Sequence, residues 1–185
     1  MARYVAFLRA INVGGHVVKM ERLRELFEDA GHTRVSTVIA SGNVIFSARA
    51  QPSGAMERRL ERTLANALGY EVRTFVRSEK EVGALESRIP FTSQQLLKPD
   101  TGLFVGFLSG PLAPAAAARL RALGTPHDDL VARGAEIFWL CGARFSDSTV
   151  TGAAVEKAIG VATTIRKITT VQRIAALVAS GSANS

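Results

Sequence analysis

The sequence predicts an α+β fold of two tandem ferredoxin-like (βαββαβ) subdomains packed together, because one order of elements runs through its 185 residues twice. A strand, an amphipathic helix, a hairpin, a second helix and a further strand occupy residues 4–76, and the same order returns after residue 100. Between the two copies, Pro90, Pro99 and the run Lys98-Pro99-Asp100 break every periodic pattern. The expected organisation is a first subdomain with a connecting helix over 1–88, a linker over 89–100, and a second subdomain with a closing helix over 101–185. The halves barely match residue by residue, so the repeat rests on element order.

Each element has its own signal. Tyr4–Ala10 is a short apolar run suited to a buried strand. Met20, Leu23, Leu26, Phe27 and Ala30 share one helical face, and Gly31 closes that helix. Arg34–Ala40 and Asn43–Ala48 are β-branched runs joined across Ser41-Gly42, a hairpin signal. Pro52-Ser53 opens a helix with Met56, Leu60, Leu64 and Leu68 inward, Gly69 ends it, and Val72–Val76 reads as the fourth strand. Ser78 and Glu81 have capping-box spacing, opening a helix that fails by Pro90.

The second copy reads Leu103–Leu108 as a strand, Pro114–Leu123 as a helix, and Leu130–Arg133 with Glu136–Leu140 as a hairpin across Gly134-Ala135. A helix over Thr149–Ile159, a strand over Thr163–Lys167 and a helix over Thr170–Ala179 complete it. Leu103–Leu108 and Ile137–Leu140 leave neither strand face polar, which requires cover on both. A lone ferredoxin-like sheet leaves one face bare, so the units are expected to pack on each other or on a second chain.

Composition narrows the functional classes. The net charge is +7, with 18 arginines and only 5 lysines; residues 1–90 carry +4 and residues 91–185 carry +3, so no basic arm or tail exists. A diffuse excess favours loose association with polyanions and is also what an arginine-rich proteome produces. Arg9 interrupts the first apolar run, which excludes a secretory pattern, and glycines and prolines break the longest uncharged stretch, Thr101–Ala118. No membrane segment is expected. Cys141, the sole cysteine, excludes an intrachain disulfide and a thiolate-rich zinc site; it reads as a packing residue and fits a reducing cytoplasm. No cofactor or metal is implied.

One stretch carries most of the chemistry. Arg9 ends the first strand, and Asn12-Val13-Gly14-Gly15 turns the chain toward a helix N-terminus. A guanidinium, an amide, backbone N–H groups freed by glycine and a helix start together suit a phosphate or carboxylate. Ser41-Gly42-Asn43 forms the other polar corner, and Gly and Asn tolerate its left-handed turn. Turn geometry alone also explains both blocks. Neither a Walker loop nor a dinucleotide fingerprint is present. Arg9, Asn12, Ser41 and Asn43 are expected in one surface cluster, lined by Gly14, Gly15 and Gly42.

These blocks resemble the family catalogued as domain of unknown function 1697, uncharacterised bacterial proteins in which both are prominent. A third block, Thr164-Ile165-Arg166-Lys167-Ile168-Thr169-Thr170-Val171, is similar to the family's Thr-x-Arg-Asn-Trp-Asn-Thr-Val, which adds Arg166 to the ligand-binding candidates. The chain departs from that pattern where Lys167 and Ile168 replace Asn and Trp, where Thr149 stands in place of a lysine, and where Ala10 replaces a glycine. An activity that needs the lysine or the tryptophan would be lost here.

Catalytic constellations are scarce. His16, His32 and His127 have no ligand spacing; His32 follows a helix-ending glycine, where a cation complements the dipole, and His127 adjoins Asp128 and Asp129 in a turn. Arg58, Arg59 and Arg62 interleave with Glu57 and Glu61 as a solvated helix face. The best reading is a non-catalytic module for an anionic ligand, with weak, sequence-indifferent nucleic-acid binding. The competing readings are a small enzyme acting on a phosphorylated or carboxylated metabolite, and an assembly protein such as a homodimer. Catalysis is left open.

Overall fold

The structure is a computed structural model that describes residues 1–9, 11–12, 17–38, 42–142 and 145–181. It is a mixed α+β protein with two four-stranded antiparallel sheets and, among the described residues, seven α-helices. Its elements run β1 (Ala2–Leu8), α1 (Met20–Asp29), β2 (Thr33–Val38), β3 (Asn43–Ala48), α2 (Ser53–Leu68), β4 (Thr74–Ser78) and α3 (Glu79–Gly83). There follow α4 (Ser93–Leu96), β5 (Gly102–Phe107), α5 (Pro114–Arg121), β6 (Asp128–Arg133), β7 (Glu136–Cys141), α6 (Gly152–Ile159), β8 (Thr164–Lys167) and α7 (Ile168–Ser180). The strand orders are β2-β3-β1-β4 and β6-β7-β5-β8.

Two compact units are present. One holds Met1–Ala84 with the C-terminal residues from Arg173; the other holds Leu85–Gln172. The stretch 89–100, read from its prolines as a linker, begins inside the second unit and contains α4. Thr92 and Gln95 cap α4 reciprocally, a signal present in the sequence as Thr-x-x-Gln.

The first unit is built on alternation. Tyr4, Ala6 and Leu8 face α1 and α2, joining Leu23, Leu26, Phe27, Met56, Leu60 and Leu64 in one core. Phe27 meets Phe46 edge-on at 5.4 Å, the offset arrangement that aromatic quadrupoles prefer. The other face carries Val5, Phe7, Ile45 and Phe75, all fully buried as well. The fourth strand lies two residues beyond its expected place, at Thr74–Ser78, because Val72 packs in the core ahead of the sheet. That strand is a sheet edge, and α2 covers its exposed N–H groups: Glu61 accepts from Thr74 N at 3.1 Å and Glu57 from Val76 N at 2.9 Å. Glu57 and Glu61 therefore do not form a solvated face with their arginines, as the interleaving had suggested. Glu57 is buried and lies 3.9 Å from the buried Arg77.

The second unit repeats the scheme with Leu108, Leu120, Leu130, Ile137, Trp139, Val155 and Ile159 as its core. The helix expected from Thr149 begins at Gly152, because the Thr151 hydroxyl accepts from Ala154 N and caps it there. Cys141 is fully buried beside Trp139, as a packing residue. Among the described residues no helix is long and apolar enough to cross a membrane.

Candidate functional site

The register of the first sheet brings Arg9 and the pair Gly42-Asn43 to one end of it. Phe7 stands opposite Asn43, so the exit of β1 and the entry of β3 share one end of the sheet. Leu8 N donates to Gly42 O at 2.8 Å, and Gly42 adopts φ +77. A Cβ on Gly42 would stand 2.4 Å from Ile11 Cγ2 and 3.1 Å from Leu8 Cβ, so only glycine lets the corner close against the strand exit. The Asn12 side chain accepts from Val18 N at 2.7 Å, tying residue 12 to the residues just ahead of α1. Tyr70 donates to Ile11 O at 3.3 Å; burial pushes its phenol up, which keeps it a donor.

Asn43 does not lie at the surface. It is fully buried, and its amide donates to Val38 O at 2.9 Å, spanning the hairpin corner. Its role in these contacts is to hold the turn. Gly14, Gly15, Ser41 and His16 lie outside the described residues, so only Arg9, Asn12, Gly42 and Asn43 of the first-half candidates can be placed.

The site contains a feature that sequence spacing cannot reveal. Leu8 pairs with Thr74, and Arg9 N donates to Arg73 O at 2.8 Å, which sets Arg9 directly opposite Arg73 one step beyond the ladder. Residues so paired have Cα atoms about 5.5 Å apart and side chains on one face. Arg73 also lines an open cleft of about 270 Å³ with Arg58, Arg62, Glu61 and Glu71. Its guanidinium reaches Glu61 at 3.6 Å, with the arginine side chain 58% exposed, so solvent screens that pair.

Arg166 belongs to the second unit. It stands on β8 opposite Val105 and donates to Thr164 Oγ1 at 2.8 Å and Ile165 O at 3.0 Å. Burial lowers its guanidinium to about 10.

The histidines separate by environment. His127 is exposed, whereas its neighbour Asp128 is buried. Asp128 accepts from Trp139 Nε1 at 2.8 Å, Ser148 Oγ at 2.9 Å and Thr125 Oγ1 at 2.8 Å. Burial raises its carboxyl, but hydrogen bonds from Trp139, Thr125, Ser148 and Cys141 outweigh that and hold it below 3.8. A carboxylate so occupied is an organiser of the turn rather than a base for His127. His32 does not complement the α1 dipole either. It is buried against Phe46 at 4.6 Å and Phe27 at 6.1 Å, and the Arg59 guanidinium takes the helix end by donating to Ala30 O at 2.8 Å. Among the described residues, no three of His, Cys, Asp and Glu cluster closely enough to hold a metal ion.

Comparison with known proteins supplies kinship without a reaction. The family model described as "Protein of unknown function (DUF1697)" matches residues 1–138, and the chain belongs to that family. The fold resembles that of conserved bacterial protein SP0830 from Streptococcus pneumoniae, with a TM-score of 0.75, 23% identity, and 97% of this chain and 99% of that one covered. No curated protein sequence matches.

Proposed function

We propose that this member of the DUF1697 family is a non-catalytic binding module of two tandem ferredoxin-like units, 1–88 and 101–185, and that its first unit takes an anionic ligand at the end of the sheet where β1 exits. The strand orders support the fold reading, since β2-β3-β1-β4 with a βαββαβ connection is the ferredoxin-like arrangement and recurs as β6-β7-β5-β8. A lone buried cysteine supports a reducing, cytoplasmic setting.

The observation that carries the functional reading is the cross-strand pair Arg9–Arg73. Two arginines brought to neighbouring backbone positions at one sheet end suit a shared anion, because planar guanidinium groups bind phosphate and carboxylate bidentately. Arg58 and Arg62 extend the positive surface along α2, while Glu61 and Glu71 interrupt it. An interrupted surface suits a few phosphate contacts rather than a long nucleic-acid track. Binding to oligonucleotides is therefore weak and indifferent to sequence, with dissociation constants on the order of 10⁻⁴ to 10⁻⁶ M at physiological salt.

Titration of labelled oligonucleotides of different sequence at two salt concentrations tests this. The expected result is weak binding that falls steeply with salt, with Arg73→Ser weakening it for every sequence alike. Tight, salt-resistant binding to one sequence would overturn it. Absence of binding at low salt would favour the metabolite reading, for which the 270 Å³ cleft would be the site.

A further inference from the structure

At the other end of the same strand, away from Arg9, the first unit opens into a groove of about 1040 Å³ that none of the family blocks reaches. Its functional groups come from four elements: Arg3 on β1, Thr33 and Arg34 on β2, Ser47 on β3, and Glu79 and Lys80 at the start of α3. The register explains the gathering. Arg3 pairs with Ser47 and Ser47 pairs with Thr33, so three polar side chains stand in one row across the sheet, on the face that carries Val5 and Ile45 further in. Tyr4 pairs with Ser78, which delivers the next residues, Glu79 and Lys80, to the end of that row.

Arg34 is placed there at a cost. It adopts φ +50, a left-handed conformation that a residue with a Cβ rarely takes. The ladder shows why: Thr33 faces Ser47 and Ser36 faces Ile45, so Arg34 and Val35 together oppose Phe46 in a β-bulge. A bulge re-aims a side chain, and here the re-aimed side chain is a guanidinium that lines the groove. The Arg3 guanidinium is fixed by donating to Val178 O on α7, and Arg3 lines the groove.

We infer that this groove binds a small phosphorylated polyhydroxy compound, of the sugar-phosphate class. Arg34, Lys80 and Arg3 supply the cationic donors that a phosphate requires. The Glu79 carboxylate and the hydroxyls of Thr33 and Ser47 are the acceptors and donors that a polyol's hydroxyl groups pair with. The space is several times that of a phosphate ion and lies at the upper end of ordinary small-ligand sites. Among the described residues no aromatic side chain lines it, so a nucleobase finds no stacking surface there, which favours a sugar phosphate over a nucleotide.

Calorimetric titration of the full chain with ribose 5-phosphate, glucose 6-phosphate and glycerol 3-phosphate tests the inference, with inorganic phosphate and ribose as the matched halves. At least one phosphorylated polyol binds more tightly than either half. Arg34→Gly weakens that binding about tenfold by removing one charge-assisted contact. Glycine is at ease at positive φ, so this variant keeps or gains stability, and its lost affinity cannot be a folding defect. Lys80→Ala, an exposed position, has a similar effect. If Arg73→Ser abolished binding while Arg34→Gly and Lys80→Ala spared it, the ligand would sit at the Arg9–Arg73 end and this assignment would be wrong. Inorganic phosphate binding as tightly as all three compounds, or no heat from any of them, would equally overturn it.

Discussion

In the first sheet Phe7 stands opposite Asn43, and in the second Phe107 stands opposite Glu136. Aligned on those pairs, Val5 matches Val105, Leu8 matches Leu108, and the buried Arg77 and the half-buried Arg166 sit opposite the two valines. The carboxylate that covers the edge strand is repeated as well. Glu61 accepts from Thr74 N at 3.1 Å, and Glu156 accepts from Thr163 N at 2.9 Å. What differs is the corner. Asn43 closes its hairpin with a neutral hydrogen bond donated by its amide to Val38 O, whereas the buried Glu136 is held by Arg88 at 2.7 Å. One frame thus tolerates two solutions to a buried polar position, one local and uncharged, the other long-range and ionic. Only the first leaves a glycine corner packed against the strand exit that bears the arginine pair.

The chain offers a separate probe for each unit. Trp139 is the only tryptophan and lies in the second unit, while both tyrosines, Tyr4 and Tyr70, lie in the first. The largest expected effect is at the first corner. Gly42→Ala forces a Cβ to positive φ and into Ile11, costing about 2–4 kcal/mol from left-handed strain and overpacking together. Urea unfolding followed by tyrosine signals should show the loss. Gly134→Ala at the second corner shares the strain of positive φ, at +61, but the contact closer than 3 Å is with the tip of the Arg88 side chain, at 2.6 Å; it should cost less because a partly exposed guanidinium adjusts more readily beside Glu136 than the packed Ile11 does. Equal losses would mean that the two corners are not packed differently.

Arg88→Ala comes next. It removes the partner of a carboxylate that is 2% exposed, and a stranded buried charge costs about 3–5 kcal/mol. The Arg88 side chain is 34% exposed, so solvent reaches the site and the expected loss is about 2–3 kcal/mol. Tryptophan fluorescence should report it. Glu136→Gln in the same background should recover part of the stability, because the charge is gone; no recovery would show that Arg88 matters for packing alone. Asn43→Ala has no such rescue.

Much of this frame was legible in the sequence because it is local. The period of Leu23, Leu26 and Phe27, the stop at Gly69 and the capping box at Ser78 are each settled by neighbours within a few residues. Even β3 keeps its expected bounds, Asn43–Ala48. What the sequence hides depends on register between distant strands. Arg9 and Arg73 are 64 positions apart and become partners only once β1 pairs with β4. Glu57 and Glu61 look like a solvated charge pattern until the edge strand that needs their carboxylates is placed beside α2. His32 looks exposed after its glycine but is drawn inward by Phe27 and Phe46.

A smaller effect tests the repeated part of the frame. Glu61→Gln and Glu156→Gln each weaken one backbone-to-carboxylate hydrogen bond, so each should cost about 1 kcal/mol. The comparison predicts near-equal losses, read by tyrosine for the first and tryptophan for the second. A loss at one position only would show that the shared geometry is not a shared function of the two carboxylates.

The smallest effect separates the units by pH. Burial, then the nearby positive charge of Arg59, lower the His32 imidazole below its ordinary 6.5. The folded protein therefore keeps this ring neutral while the unfolded chain takes up a proton below about 6.5, so the contribution to stability is complete above that pH and declines as pH falls toward the folded-state value. In the second unit the held-down carboxyl of Asp128 acts in a different window. Its contribution is complete above about 3.8 and is lost only as pH drops through its lower folded-state value. Between pH 6.5 and 4, tyrosine-detected urea midpoints should slope downward while the tryptophan-detected midpoint stays nearly level. His32→Phe, which keeps a ring between Phe27 and Phe46 and removes a ring nitrogen that has no hydrogen-bond partner, should flatten the tyrosine slope. A slope unchanged by that substitution would assign the acid sensitivity of the first unit to its carboxylates and leave His32 as packing alone.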